Sequence, residues 1–142
     1  MNNFLKFANT LLLLIFISQF AFGQSSNTNK PLCAKFKTGT FELKDKTTNV
    51  HTLIKRTKKH QIEYDQNKKG AYIKFKLTWL SDCEYTLKVI KAKKADDVLK
   101  FFIDKTLHVV ITETEGDEYT FQCRFKELPD FPMGTLKIKK LK

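Results

Sequence analysis

Residues 71–79 read Ala71-Tyr72-Ile73-Lys74-Phe75-Lys76-Leu77-Thr78-Trp79, and the stretch alternates without a break. Ala71, Ile73, Phe75, Leu77 and Trp79 share one face; Tyr72, Lys74, Lys76 and Thr78 share the other. Successive strand side chains point to opposite sides, so this is a strand with one dry and one wet face. Ser81 and Asp82 interrupt the run. It then resumes with Cys83, Tyr85, Leu87 and Val89 on one face and Glu84, Thr86 and Lys88 on the other. Two such neighbours predict an antiparallel sheet wrapped over its own core.

The same period of two extends outward in both directions. Phe41 and Leu43 mark a first strand that ends at the turn over 45–49. Val50 to Arg56 makes a second, and Lys58 to Asp65 a third, with Ile62 and Tyr64 on one face. Whether Thr57-Lys58 turns the chain or bulges one long strand stays open. The pattern changes at Lys91-Ala92-Lys93-Lys94-Ala95. Asp96 and Asp97 precede an apolar group, Val98, Phe101 and Phe102. Carboxylates in a first turn favour the exposed N–H groups of a helix, so a short helix near 95–104 is expected, the alternative being a long hairpin loop with an apolar tip. Strands return at 107–111 and 119–126, joined by a hairpin turn at 115–117, and the chain closes with Leu136 and Ile138 inward. The expected fold is mainly β: a curled antiparallel sheet or small up-and-down barrel of seven or eight strands.

The N-terminus is ordered like an export signal. Lys6 precedes an apolar run over 11–17, and Ala21-Phe22-Gly23 places small residues where a signal peptidase reads, predicting cleavage after Gly23. A membrane span needs roughly 20 apolar residues, and Ser18-Gln19 interrupts this one. The polar linker 24–32 that follows argues against a buried helix. No cysteine stands at the cleavage point, so a periplasmic or extracellular protein without a lipid anchor is expected. Residues 33–142 then form one β domain, expected to be monomeric. Removing 1–23 leaves 25 Lys plus Arg against 15 Asp plus Glu, a net charge of +10.

Three cysteines remain. Cys123 shares a face with Tyr119, Phe121 and Phe125 and reads as a small buried hydrophobe. Cys33 sits where a crosslink would pin the start of the fold. A Cys33–Cys83 disulfide is therefore predicted; closing a loop of about 50 residues it would contribute ~3–4 kcal/mol by the chain-entropy model.

Several chemistries lack their residues. His51, His60 and His108 are scattered, with no Cys-x-x-Cys, so no metal site is expected. No glycine-rich phosphate loop or other cofactor motif is present. Glu63 and Asp82 would serve a hydrolase if they faced each other across a cleft; their bland role is pairing with Arg56, Arg124 or a lysine. Lysine runs at 55–60, 91–94 and 137–142 suit diffuse attraction to an anionic membrane surface or acidic glycan. Nucleic acid fits less well, because Tyr72 alone stands among the lysines of the best strand as a stacking platform.

One resemblance emerges from longer strings. Cys33-Ala34-Lys35-Phe36-Lys37-Thr38-Gly39-Thr40-Phe41, Arg56 with Gln61 and Glu63, and Trp79-Leu80-Ser81-Asp82-Cys83-Glu84-Tyr85-Thr86-Leu87 together resemble a group of small exported proteins of Bacteroidetes-type bacteria. The resemblance covers nearly all of the chain beyond the leader. It implies Cys33 and Cys83 as a structural pair and Arg56, Gln61, Glu63, Trp79, Asp82 and Tyr85 as a shared set of candidate binding residues. It implies no activity; a topoisomerase label borne by some members fits neither the size nor the leader. Members are often lipoproteins, and the missing cysteine at the cleavage point departs from that. Two readings of function follow: a non-enzymatic module binding an apolar or amphipathic molecule, or a hydrolase of an anionic envelope polymer using Glu63 or Asp82. A purely structural envelope role is the third.

Overall fold

The structure, a computed structural model, describes residues 31–94, 103–131 and 134–142. Eight strands follow one another around a closed antiparallel barrel, each paired with its neighbours in sequence. They are β1 (Gly39–Asp45), β2 (Val50–Arg56), β3 (His60–Asp65), β4 (Tyr72–Trp79), β5 (Glu84–Lys93), β6 (Thr106–Glu115), β7 (Glu118–Phe125) and β8 (Thr135–Lys140). The alternating faces read from residues 71–89 run as expected: Phe75, Leu77, Tyr85 and Leu87 are buried inside, with Trp79 and Val89 packed against them. The Thr57-Lys58 question resolves as a turn, since the Thr57 N–H donates to the His60 carbonyl at 2.9 Å.

Closure rests on the narrowest seam. β1 and β8 share only two register pairs, Phe41 with Lys140 and Glu42 with Lys139, against eight between β4 and β5. The Leu141 N–H extends the seam by donating to the Thr40 carbonyl at 2.8 Å. Gly39 makes it sterically feasible: at φ +131° it carries no Cβ, and one placed there would lie 2.8 Å from Cε of Lys140.

Two bulges adjust the pattern. The β4–β5 register shifts after Lys74, leaving Ile90 as the extra residue between Val89, opposite Phe75, and Lys91, opposite Lys74. Between β6 and β7 Thr112 is the extra residue. Such insertions tighten twist and help a sheet curl shut.

The barrel ends differ. Ala34–Phe36 form a 3₁₀ turn whose Phe36 is fully buried. Cys33 is bonded to Cys83, so the plug is clamped covalently to the β4–β5 connection. The Leu32 N–H donates to Thr114 Oγ1 and the Lys35 ammonium to the Gly116 carbonyl. Pro31 and Leu32, expected as free leader, are thus held to the barrel; the rest of the expected leader and the expected export signal lie outside the described residues. So does most of the expected helix near 95–104, of which Ile103 and Asp104 are in a turn. Cys123 is free and buried, as expected. Among the described residues no helix is long and apolar enough to cross a membrane.

Candidate binding site in the barrel interior

Five of the six candidate residues meet inside the barrel near its plugged end. Arg56, the last residue of β2, is only 3% exposed. Its Nε donates to Gln61 Oε1 at 2.6 Å, and its Nη1 to the Phe36 carbonyl at 2.9 Å. Its Nη2 donates to the Tyr85 and Tyr119 hydroxyls at 3.0 and 2.9 Å. The guanidinium also lies 4.7 Å from the ring centres of Phe41 and Tyr85. A cation out of water is tolerable only when its donors are satisfied. Here every nitrogen is engaged, so Arg56 ties the plug to three strands and has no nitrogen left without a partner. Burial pushes the Tyr85 hydroxyl well above its ordinary range, which keeps it neutral.

Trp79 closes this layer with a tilted ring contact, its ring 4.7 Å from that of Tyr85, with the Lys37 ammonium 5.4 Å above its face. Its Nε1 is buried without a partner among the described residues. Asp82 is not part of the cluster. It sits exposed in the β4–β5 connection and pairs with Lys37 at 2.8 Å.

Gln61 carries the network from the plug toward the barrel centre. Its side-chain N–H donates to Glu63 Oε1 at 2.6 Å. Glu63 stands on the inner wall of β3 between Ile54 of β2 and Ile73 of β4. Its second oxygen has no partner among the described residues, and the side chain stays partly accessible. Burial raises the Glu63 carboxyl above its ordinary value, against the lowering pull of the Gln61 hydrogen bond and the Arg56 charge. Across the interior, burial first and Glu63 second push the Cys123 thiol up to about 11.

Past Glu63 toward the other end, the inner wall is apolar and incompletely covered. Leu43, Ile73, Val89, Leu107 and Leu136 pack against the core while remaining partly accessible. An eight-stranded barrel has an interior just wide enough to be filled by side chains or to hold one small ligand. Here one half is filled by Phe36, Phe41, Tyr85, Tyr119 and Arg56, and the other half retains accessible wall.

Glu63 and Asp82, the carboxylates a hydrolase would have used, do not share a point: one is inside the wall, the other exposed at the rim. Among the described residues no three His, Cys, Asp or Glu side chains group to hold a metal. Tyr119 and the Phe36 carbonyl were absent from the sequence-derived set. Tyr119 shares its inward parity with Cys123, but nothing local points from it to an arginine 63 residues away. Comparisons with protein-family models, curated proteins and solved structures gave no match for this chain.

Proposed function

We propose that this chain is an exported, non-enzymatic binding module. Its barrel interior takes up one small amphipathic molecule, with an apolar body along the distal wall and a hydrogen-bond donor at its head. The observation that carries this reading is Glu63, a carboxylate placed between Ile54 and Ile73 with one oxygen on Gln61 and the other open. An inward carboxylate in an apolar wall costs stability unless its lone pairs are met. A hydroxyl or ammonium head group meets them. Leu43, Val89, Leu107 and Leu136 supply the apolar contact for the body. The Cys33–Cys83 bond fits an oxidising compartment, which supports export.

The test is displacement of a neutral fluorescent apolar probe by decyl chains ending in an ammonium, a hydroxyl or a carboxylate, each below its micellar concentration. Saturable displacement is expected, with the carboxylate weakest because it meets Glu63 as a like charge. In Glu63→Gln the disadvantage of the carboxylate should largely vanish. An identical ranking in the variant, or no saturable displacement in either protein, would sink the reading.

A further inference from the structure

The net charge of the chain is not spread evenly over the barrel. On the outer face, register sets Lys55, Ile62, Lys74 and Lys91 side by side across β2, β3, β4 and β5. The next row is Leu53, Tyr64, Tyr72 and Lys93. On the other side of the first row come His60, Lys76 and Lys88. Lys74 faces Lys91, and Lys76 faces Lys88, as direct cross-strand partners. Like charges directly opposed weaken a sheet, yet no carboxylate interrupts these rows. Among the described residues none of the six lysines forms an ion pair.

The remaining outer wall is different. Glu42 pairs with Lys44 and His51, and Glu118 pairs with Lys137 at 2.6 Å. There the lysines Lys44 and Lys137 have acidic partners; the six lysines of the β2–β5 rows have none among the described residues.

We infer that the outer face of β2–β5 docks on an anionic bilayer, an inference independent of what the barrel interior holds. Charge complementarity selects an anionic partner, and the residues between the lysines select a membrane. Ile90, pushed out by the bulge, is 51% exposed. Leu53 and Ile62 lie in the lysine rows, and Tyr64 and Tyr72 meet as tilted rings with centres 6.1 Å apart. Apolar and tyrosine side chains among cations gain by entering an interface that is apolar on one side, which a hydrated polysaccharide does not offer. Lysine also suits headgroups, being a point charge on a long stem rather than a planar fork. At the edge of the face a cleft of about 520 Å³, lined by Lys55, Tyr64, Asp65, Asn67 and Lys69 among others, is large enough to admit a headgroup; the Asp65 carboxylate in it is engaged by the Asn67 N–H.

The experiment compares the full chain with two variants of equal charge. One carries Lys74→Gln, Lys76→Gln, Lys88→Gln and Lys91→Gln; the other carries Lys44→Gln, Lys126→Gln, Lys137→Gln and Lys139→Gln. Each is co-sedimented with phosphatidylcholine vesicles with and without phosphatidylglycerol, so the N-terminal segment is common to all arms. With each surface lysine worth roughly fivefold in partitioning, the face variant should lose more than about a hundredfold of its preference for anionic vesicles. The control variant should lose far less. The face variant should also melt no lower than wild type, because opposed lysines have been removed. A third variant, Ile90→Ser, should weaken vesicle binding without altering retention on a sulfated-polysaccharide column. Equal losses in the two lysine variants would overturn the inference, as would retention by polysaccharide with no preference for anionic vesicles.

Discussion

Phe41 and Leu43 lie two residues apart on the inner side of β1, and they meet opposite surroundings. Phe41 is fully buried, its ring 6.5 Å from Phe36 and 6.1 Å from Tyr119. Leu43 packs on the core from one side and stays accessible on the other. The same contrast separates the two halves of the whole barrel. The plugged half is covalently clamped, filled with aromatic rings and organised around one saturated arginine. The distal half keeps apolar wall within reach of solvent and holds a carboxylate with an open oxygen. A closed barrel of this size need not be uniform: one half can carry the stability while the other carries a site.

The contrast breaks most visibly at Arg56. Arg56→Met removes the donors that Gln61, Phe36, Tyr85 and Tyr119 share. A loss of about 3–5 kcal/mol is expected in urea unfolding. Arg56→Lys should restore little of it, because an ammonium cannot reach four acceptors in that planar arrangement. Removing the clamp with Cys33→Ser plus Cys83→Ser should cost about 4 kcal/mol for a sequence separation of 50, read the same way.

Matched truncations on one strand sharpen the comparison. Phe41→Ala should destabilise by about 3–5 kcal/mol, and Leu43→Ala by about 1–2, since only the former empties a closed core. Similar losses at the two positions would mean the distal half is packed like the plugged one.

Glu63 gives a smaller, pH-dependent effect. Its carboxyl titrates above the ordinary 4.5 in the folded chain, so the folded state holds its proton more tightly than the unfolded one. Stability from this group is therefore present at low pH and falls as pH rises from 4.5 through the folded value. Glu63→Gln should leave melting unchanged at pH 4 and raise it at pH 8. Smallest in energy is Cys123. With its thiol pushed up to about 11, it should resist thiol reagents at pH 8 until the protein is unfolded.

Much of the plugged half was legible in the sequence. Alternation along 71–89 placed Phe75, Leu77, Trp79, Tyr85 and Leu87 inside, and the shared face of Tyr119 and Cys123 left Cys33 and Cys83 to pair. The candidate site of the distal half was hidden by β3, whose pattern is inverted. Ile62 and Tyr64 are the apolar residues of that strand, yet they face outward, while Gln61 and Glu63 face in. Polarity alone assigns them the other way; only the register with Ile54 and Ile73 corrects it. Closure was equally hidden, because the β1–β8 seam joins residues about a hundred positions apart through two register pairs. The lysine rows of the outer face were hidden in a related way. Lys74, Lys76 and Lys88 belong to no run, and strand pairing alone gathers them with Lys55, Lys91 and Lys93.

The most direct test of the interior site is the titration of Glu63 itself. Carboxyl carbons of the glutamates are labelled, and the Glu63 resonance is identified by its loss in Glu63→Gln. Its pH midpoint is then measured with and without saturating decylamine. The midpoint should lie above 4.5 in the free protein and fall when the ammonium occupies the open oxygen, while the other glutamates stay put. A Glu63 midpoint that ignores the ligand, or one already at 4.5 without it, would contradict the account.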